Sequence, residues 1–201
     1  MCGRLNTQSE LSSANYHGLE WNGEAVSKAQ AKGLDVLECD LNLAIPHEDD
    51  RFSVVFGLSV LEHLLNPCRH IHECHRVLRN DGTLIILTPN ISTNFTAALI
   101  LAGRMPSSGP HPDSHSLIKR QELFRVSSEE LQHDAELETP MHRHLVVFSY
   151  RALKSFLESV GFRQIRGYGF GVYPFPNFMQ PALARIDPFH CRQMVFVARK
   201  Q

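Results

Sequence analysis

The chain has 201 residues, 43% of them apolar and 20% charged, which is the composition of an ordinary globular protein. Its net charge of −1 gives no broad basic surface, so neither nucleic acid nor anionic lipid is expected as a partner. The five scattered cysteines contain no Cys-x-x-Cys pair, and no apolar run reaches the ~20 residues of a membrane helix. We therefore expect a single cytoplasmic domain over residues 1–201, without a membrane span.

Strands and helices alternate in the first part of the sequence. Residues 5–15 are weakly amphipathic and fit a helix. Residues 16–21 and 35–39 are predicted strands, and residues 24–32 form a predicted helix between them that Gly33 closes. This alternation favours an α/β fold.

The best-defined element of the sequence is a strand, a helix and a second strand. Residues 52–56 and 83–87 are short apolar runs typical of fully buried parallel strands. Pro67 suits the first position of the helix, Asn66 is its predicted cap, and residues 80–82 are its predicted stop. Such a unit is right-handed, so its two strands should lie parallel in one sheet. Ligands of such sheets bind beyond the carboxyl ends of the strands.

The segment at residues 91–148 is too long for a plain loop, and we interpret it as an inserted lid over the strand ends. It contains a predicted helix at residues 95–101 and an acidic helical candidate at residues 128–138. Between them lies a stretch rich in proline, serine, glycine and histidine.

The last part of the chain returns to regular structure. Ser149 caps a predicted helix at residues 150–160, and residues 162–166 and 193–199 are predicted strands. No clear helix separates these two strands in the sequence, so we expect them to be antiparallel. The aromatic loop at residues 167–178 either lines an acceptor pocket or closes the core over the sheet edge.

Several of these segments together resemble one protein family, the class I S-adenosylmethionine-dependent methyltransferases of the small-molecule type. The resembling segments are Phe52-Ser53-Val54-Val55, Val60-Leu61-Glu62-His63-Leu64, Asn66-Pro67, Arg76-Val77-Leu78 and Asp81-Gly82-Thr83-Leu84. The resemblance implies a Rossmann-like, mostly parallel sheet whose last strand is antiparallel. It also implies S-adenosylmethionine as cofactor and methyl transfer to a small-molecule acceptor.

The resemblance places a cofactor site after the strands, at Gly3, Glu20, Trp21, Asp40, Leu41, Leu58 and Ser59. In the family the acid that corresponds to Glu20 binds both ribose hydroxyls, and the acid that corresponds to Asp40 reaches the adenine amine. A carboxylate at a strand end can accept from two vicinal hydroxyls at once, which agrees with the first role. The alternative is that both acids are helix caps or solvated turn residues.

His63 is the candidate catalytic residue, because an imidazole titrates near neutrality and can remove a proton from a hydroxyl acceptor. The alternative is a hydrogen-bonded residue that fixes its turn. Some O-methyltransferases that resemble this site carry an acid three residues before the Glu-His pair and bind a divalent metal there. Ser59 stands at that position, so no metal is predicted. We interpret His70, His72 and His75 as a solvated helix face.

The family's first strand and its glycine-rich turn have no clear counterpart in this sequence. Residues 2–5 resemble a shortened remnant of that turn. Three explanations compete: a fragment or a start assigned too late, a partner chain that supplies the strand, or a degenerate domain. We favour the first, and expect an N-terminally truncated sheet. The alternative function is a noncatalytic, methyltransferase-like binding or regulatory subunit. A nicotinamide oxidoreductase is disfavoured because no G-x-G-x-x-G follows a strand.

Overall fold

The computed structural model describes residues 16–106, 108–114, 116–117, 143–172, 175–176 and 178–201. The chain forms two compact units, Met1–Pro46 and His47–Gln201. The predicted helices at residues 5–15 and 128–138 lie outside the described residues, as does Gly3. Among the described helices, none has the length and apolar character needed to cross a membrane.

The first unit has the predicted order of strand, helix and strand. Strand β1 (Gly18–Glu20) pairs in parallel with β2 (Val36–Glu38), and helix α1 (Gly23–Gln30) connects them. The side chain of Asn22 caps α1, because its Oδ1 accepts from the backbone N–H groups of Glu24 and Ala25 at 3.0 and 3.1 Å. Each element is shorter than the sequence predicts.

Among the described residues, the second unit has a four-stranded sheet and the four α-helices whose bounds are given below. The strands are β3 (Phe52–Leu58), β4 (Leu78–Pro89), β5 (Phe162–Phe170) and β6 (Gln193–Lys200), in the spatial order β3-β4-β6-β5. The helices are α2 (Pro67–Val77), α3 (Asn94–Leu101), α4 (Tyr150–Val160) and α5 (Gln180–Ile186). As predicted, β3 and β4 are parallel, whereas β6 is antiparallel to both β4 and β5.

The core of this unit lies where α2 and α4 meet each other and the sheet. Ile71 of α2, Leu153 and Leu157 of α4, and Leu84 and Phe196 of the sheet are each at most 1% exposed. Burying one such side chain contributes about 1.5–3 kcal/mol. As predicted, Ser149 caps α4 and Gly161, with φ +115°, ends it.

The opposite face of the sheet is apolar and largely exposed. Val54, Phe56 and Leu58 of β3 are 48%, 54% and 55% exposed. Strand pairing places Leu58 in one row with Leu87, Val195 and Tyr168, because paired residues share a face. The prediction that residues 52–56 are fully buried is therefore wrong, since alternate residues of β3 face this side of the sheet.

Three local predictions are also wrong. Asn66 is the N-cap residue of α2, but its side chain makes no capping hydrogen bond. The helix ends at Val77, before the predicted stop at residues 80–82, because Leu78 is already extended and pairs with Phe52. Between β5 and β6 the sequence predicted no helix, yet α5 lies there.

Asn90, just beyond the end of β4, joins four parts of the second unit and is 0% exposed. Its Nδ2 donates to the carbonyl oxygens of Phe189 and Cys191 at 2.7 and 2.8 Å. Its Oδ1 accepts from the backbone N–H groups of Ser92 and Tyr150 at 3.0 and 3.3 Å. Both donors and both acceptor sites of the amide are thus used, so the side chain has one stable orientation.

Asn90→Asp should destabilise the fold by at least about 3 kcal/mol, because it removes two buried donors and places a carboxylate oxygen against two carbonyl oxygens. The measurement is the free energy of unfolding in urea. Asn80→Asp is the matched control, since Asn80 is an exposed residue of β4, and it should change stability by no more than about 0.5 kcal/mol. Equal effects of the two substitutions would contradict the role of Asn90.

Burial raises the pKa of the Cys74 thiol in α2 to about 12, from an ordinary value of 9.0. Between these two pKa values the unfolded chain binds fewer protons than the folded chain, so stability falls as pH rises. The stabilising contribution of Cys74 is therefore fully present only below about pH 9. The difference in unfolding free energy between the natural chain and Cys74→Ala should therefore shrink above pH 9, by up to about 1.4 kcal/mol per pH unit. Urea unfolding between about pH 8 and pH 10.5 tests this, and a constant difference would contradict it.

Candidate functional site

The acidic strand ends of the first unit are turn residues with one carboxylate oxygen engaged. Glu20 ends β1, and its Oε1 accepts from the backbone N–H of Asn22 at 3.0 Å. Asp40 follows β2, and its Oδ1 accepts from the backbone N–H and from Nδ2 of Asn42, both at 2.9 Å. A carboxylate has about four acceptor sites on its two oxygens. After these contacts each carboxylate can still accept further hydrogen bonds from a ligand.

The two apolar candidates beside these acids differ in exposure. Trp21 follows Glu20 and is 63% exposed, whereas Leu41 follows Asp40 and is half-buried. An exposed tryptophan presents a large flat surface next to the carboxylate that precedes it.

In the second unit, β3 leads into a tight turn. Leu58 is exposed, and Ser59 has φ +56°, a left-handed conformation that non-glycine residues rarely adopt. The backbone N–H of Ser59 donates to the carbonyl oxygen of Leu87 at 2.9 Å, which extends the pairing with β4 by one residue. This pairing holds the start of the turn against the end of β4.

Glu62 lies in the short 3₁₀ helix Leu61–His63 and is 2% exposed. Its Oε2 accepts from the hydroxyl of Thr88 in β4 at 3.0 Å. Its carbonyl oxygen accepts from the backbone N–H groups of Leu145 and Val146 at 2.6 and 3.4 Å. Glu62 thereby joins the turn, the end of β4 and residues 143–149.

His63 and His144 converge beside Glu62. Nδ1 of His63 lies 3.1 Å from the carbonyl oxygen of Arg143, and Nδ1 of His144 contacts the carbonyl oxygen of Ser108. The two rings are 5.2 Å apart between centroids. One ligand-type atom from each of Glu62, His63 and His144 lies within 4.8 Å of the other two.

Of these three residues, only His63 was predicted as a site residue. Glu62 belongs to the quoted Val60–Leu64 segment, but its burial cannot be read from the sequence. His144 lies in a distant segment, and no ligand spacing connects it to Glu62 and His63. The second unit contains Leu58, Ser59 and His63, and the first contains Glu20, Trp21, Asp40 and Leu41.

Residues 2–86 match the methyltransferase domain family. A probable S-adenosylmethionine-dependent methyltransferase of Mycobacterium tuberculosis is 36% identical over 73 residues, which are 36% of this chain and 27% of that protein. The ubiquinone biosynthesis O-methyltransferase of Glaesserella parasuis is 31% identical over 87 residues, which are 41% of this chain and 36% of that protein. The matched segments thus span about a third or less of these relatives.

Solved structures agree over nearly all of the chain. A SAM-dependent methyltransferase of Thermotoga maritima superposes with a TM-score of 0.57 at 13% identity, covering 92% of this chain and 72% of that one. A SAM-dependent methyltransferase of Methanosarcina mazei gives a TM-score of 0.55 at 17% identity, covering 95% and 85%. At these identities the likeness concerns the fold alone.

The fold is therefore the Rossmann-like fold of the class I methyltransferases, as predicted. The family match over residues 2–86 and the names of the relatives agree with the resemblance to the S-adenosylmethionine-dependent methyltransferases. The recognition from the Phe52–Leu84 segments is confirmed.

Thr88→Val keeps the shape of the side chain but removes the hydroxyl that donates to the buried carboxylate of Glu62. The free energy of unfolding should fall by about 1.5–3 kcal/mol, the range for a hydrogen bond to a charged group. Thr83→Val is the control in the same strand, since no side-chain hydrogen bond of Thr83 is seen among the described residues. Urea unfolding of both variants is the measurement, and equal losses would argue against the Thr88–Glu62 bond.

Proposed function

We propose that the chain transfers a methyl group from S-adenosylmethionine to a small-molecule acceptor in the cytoplasm. The observation that carries this proposal is the family match over residues 2–86, which includes both acidic strand ends and the turn after β3. The small-molecule acceptor is an inference from the family and from the absence of a basic composition.

In this proposal Glu20 accepts hydrogen bonds from the ribose hydroxyls of the cofactor, and Asp40 accepts one from the adenine amine. Trp21 and Leu41 flank these groups. The hydrogen bonds seen for each carboxylate use a single oxygen, and we propose that the other oxygen of each is available to the cofactor. The resemblance also assigns Gly3, Leu58 and Ser59 to the cofactor.

Methyl transfer from a sulfonium is a displacement, so the protein's main task is to align donor and acceptor and to exclude water. We assign exclusion of water to residues 91–148 as a lid within a single methyltransferase-like domain. His63 is the proposed base for an acceptor hydroxyl. Because its Nδ1 faces the carbonyl oxygen of Arg143, proton removal would use Nε2.

Glu20→Gln tests the cofactor site by calorimetric titration with S-adenosylmethionine. The amide keeps an acceptor oxygen for the N–H of Asn22 but loses the charge and one of the two acceptor oxygens, so affinity should fall about 10-fold or more, equivalent to about 1.4 kcal/mol. Glu24→Gln is the control, since Glu24 is an exposed acid of α1 that pairs with Lys28 at 2.6 Å. Its affinity should equal that of the natural chain.

Two outcomes would count against the proposal. Equal affinities in Glu20→Gln and Glu24→Gln would remove Glu20 from the site. No binding of S-adenosylmethionine to the natural chain would leave it without the donor that the proposed reaction requires.

A further inference from the structure

We propose that Glu62, His63 and His144 form a binding site for a divalent transition-metal ion, with one carboxylate and two imidazoles as ligands. One ligand-type atom from each residue lies within 4.8 Å of the other two. Metal–ligand bonds of about 2.0–2.2 Å hold ligand atoms about 3–4 Å apart, so small side-chain rotations suffice for coordination. All three residues belong to the second unit.

The hydrogen bonds of the two histidines select the correct tautomer for a metal ligand. A carbonyl oxygen can only accept, so the contacts with Arg143 and Ser108 make Nδ1 the protonated nitrogen of His63 and of His144. The lone pair of each neutral ring is then on Nε2. Metal-bound histidines in proteins almost always show this arrangement, in which the other ring nitrogen donates to a carbonyl or a carboxylate.

Glu62 is the acidic ligand of the proposed site. It is 2% exposed and takes part in none of the ion pairs seen among the described residues. Among the described residues, the Thr88 hydroxyl is the one side-chain donor seen to this carboxylate. Burying a carboxylate with so few donors is costly, and a bound cation would offset that cost. The Thr88 hydroxyl on Oε2 would then orient the ligand, as hydrogen-bonded carboxylates do in metal sites.

Residues 108–111 contact His144 through its ring and its backbone. Its ring stacks on that of His111 at 4.9 Å, its backbone N–H donates to Nδ1 of His111, and its carbonyl oxygen accepts from the N–H of His111. Gly109 leaves room for it, since a Cβ there would lie 2.7 Å from Cβ of His144. A ligand held this firmly is already ordered before the metal binds.

The ligand set determines the class of metal. Imidazoles suit zinc and neighbouring transition metals, whereas magnesium and calcium prefer oxygen ligands. Three protein ligands leave a coordination position for water or for an oxygen of a bound molecule. The sequence predicted no metal because Ser59 stands where related proteins have an acidic ligand. In the proposed site the third ligand is instead His144, from a distant segment of the chain.

The test is titration of the natural chain, without cofactor, with Co²⁺, followed by the visible absorption of the protein-bound ion. We expect one equivalent to bind, and His144→Ala and Glu62→Gln to weaken binding by more than about 100-fold, because loss of an outer hydrogen-bond partner alone costs 10–100-fold. His72→Ala is the control, an exposed histidine of α2, and should bind as the natural chain does. Circular dichroism confirms that each variant is folded.

Gly109→Ala provides a second variant that retains every ligand. It should displace His144 and weaken Co²⁺ binding about 10-fold. Gly103→Ala is its control, because Gly103 also has a positive φ, +69° against +93°, but a Cβ there meets nothing within 4 Å.

The proposal is overturned if the natural chain binds no stoichiometric Co²⁺, or if His144→Ala binds as tightly as His72→Ala. It is also overturned if Gly109→Ala and Gly103→Ala weaken binding equally. Because S-adenosylmethionine is absent from the titration, failure here is distinguishable from failure of the proposed methyl transfer.

Discussion

The segments around the candidate site of the second unit are joined through one buried residue, Glu62. Glu62 lies in the short 3₁₀ helix after β3. Its side chain is hydrogen-bonded to β4, and its carbonyl oxygen is hydrogen-bonded to residues 143–149. A buried carboxyl group is costly unless its polar partners are in place, so the hydrogen bonds to Glu62 favour one arrangement of the segments around it. The same constraint brings His144 next to His63. Structural order and the chemistry of the site therefore have one physical origin, the accommodation of this carboxylate.

Two roles of His63 compete for the same nitrogen. With Nδ1 facing the carbonyl oxygen of Arg143, a base and a metal ligand would both use Nε2. A histidine that coordinates a metal cannot also accept a proton there. If the metal site is occupied during the reaction, a group other than His63 would have to accept the proton of the acceptor. Nε2 of His63 can thus act either as the base or as a metal ligand, but not as both at once.

Local signals predicted the regular elements well. Ser149 and Gly161 bound α4 because capping and left-handed glycine are properties of single positions, and the βαβ rule gave the parallel pairing of β3 with β4. The prediction failed where distant contacts decide: Leu78 becomes extended by pairing with Phe52, and the exposure of Phe56 depends on what lies against the sheet face. His144 was missed as a partner of His63 for the same reason, since their proximity is tertiary. The placement of Glu20 and Asp40 at strand ends was predictable because it is local.

The position of β6 has a consequence for how the protein is made. This strand is the last of the described strands in sequence, but it lies between β4 and β5 and contacts both. During synthesis on the ribosome, β4 and β5 therefore both emerge before the strand that joins them, β5 ending at Phe170 and β6 starting at Gln193. Until β6 is inserted, both strands expose unpaired backbone edges, the kind of surface that aggregates and that chaperones bind. The sheet is therefore complete only after its last described strand has inserted between two strands that precede it in sequence.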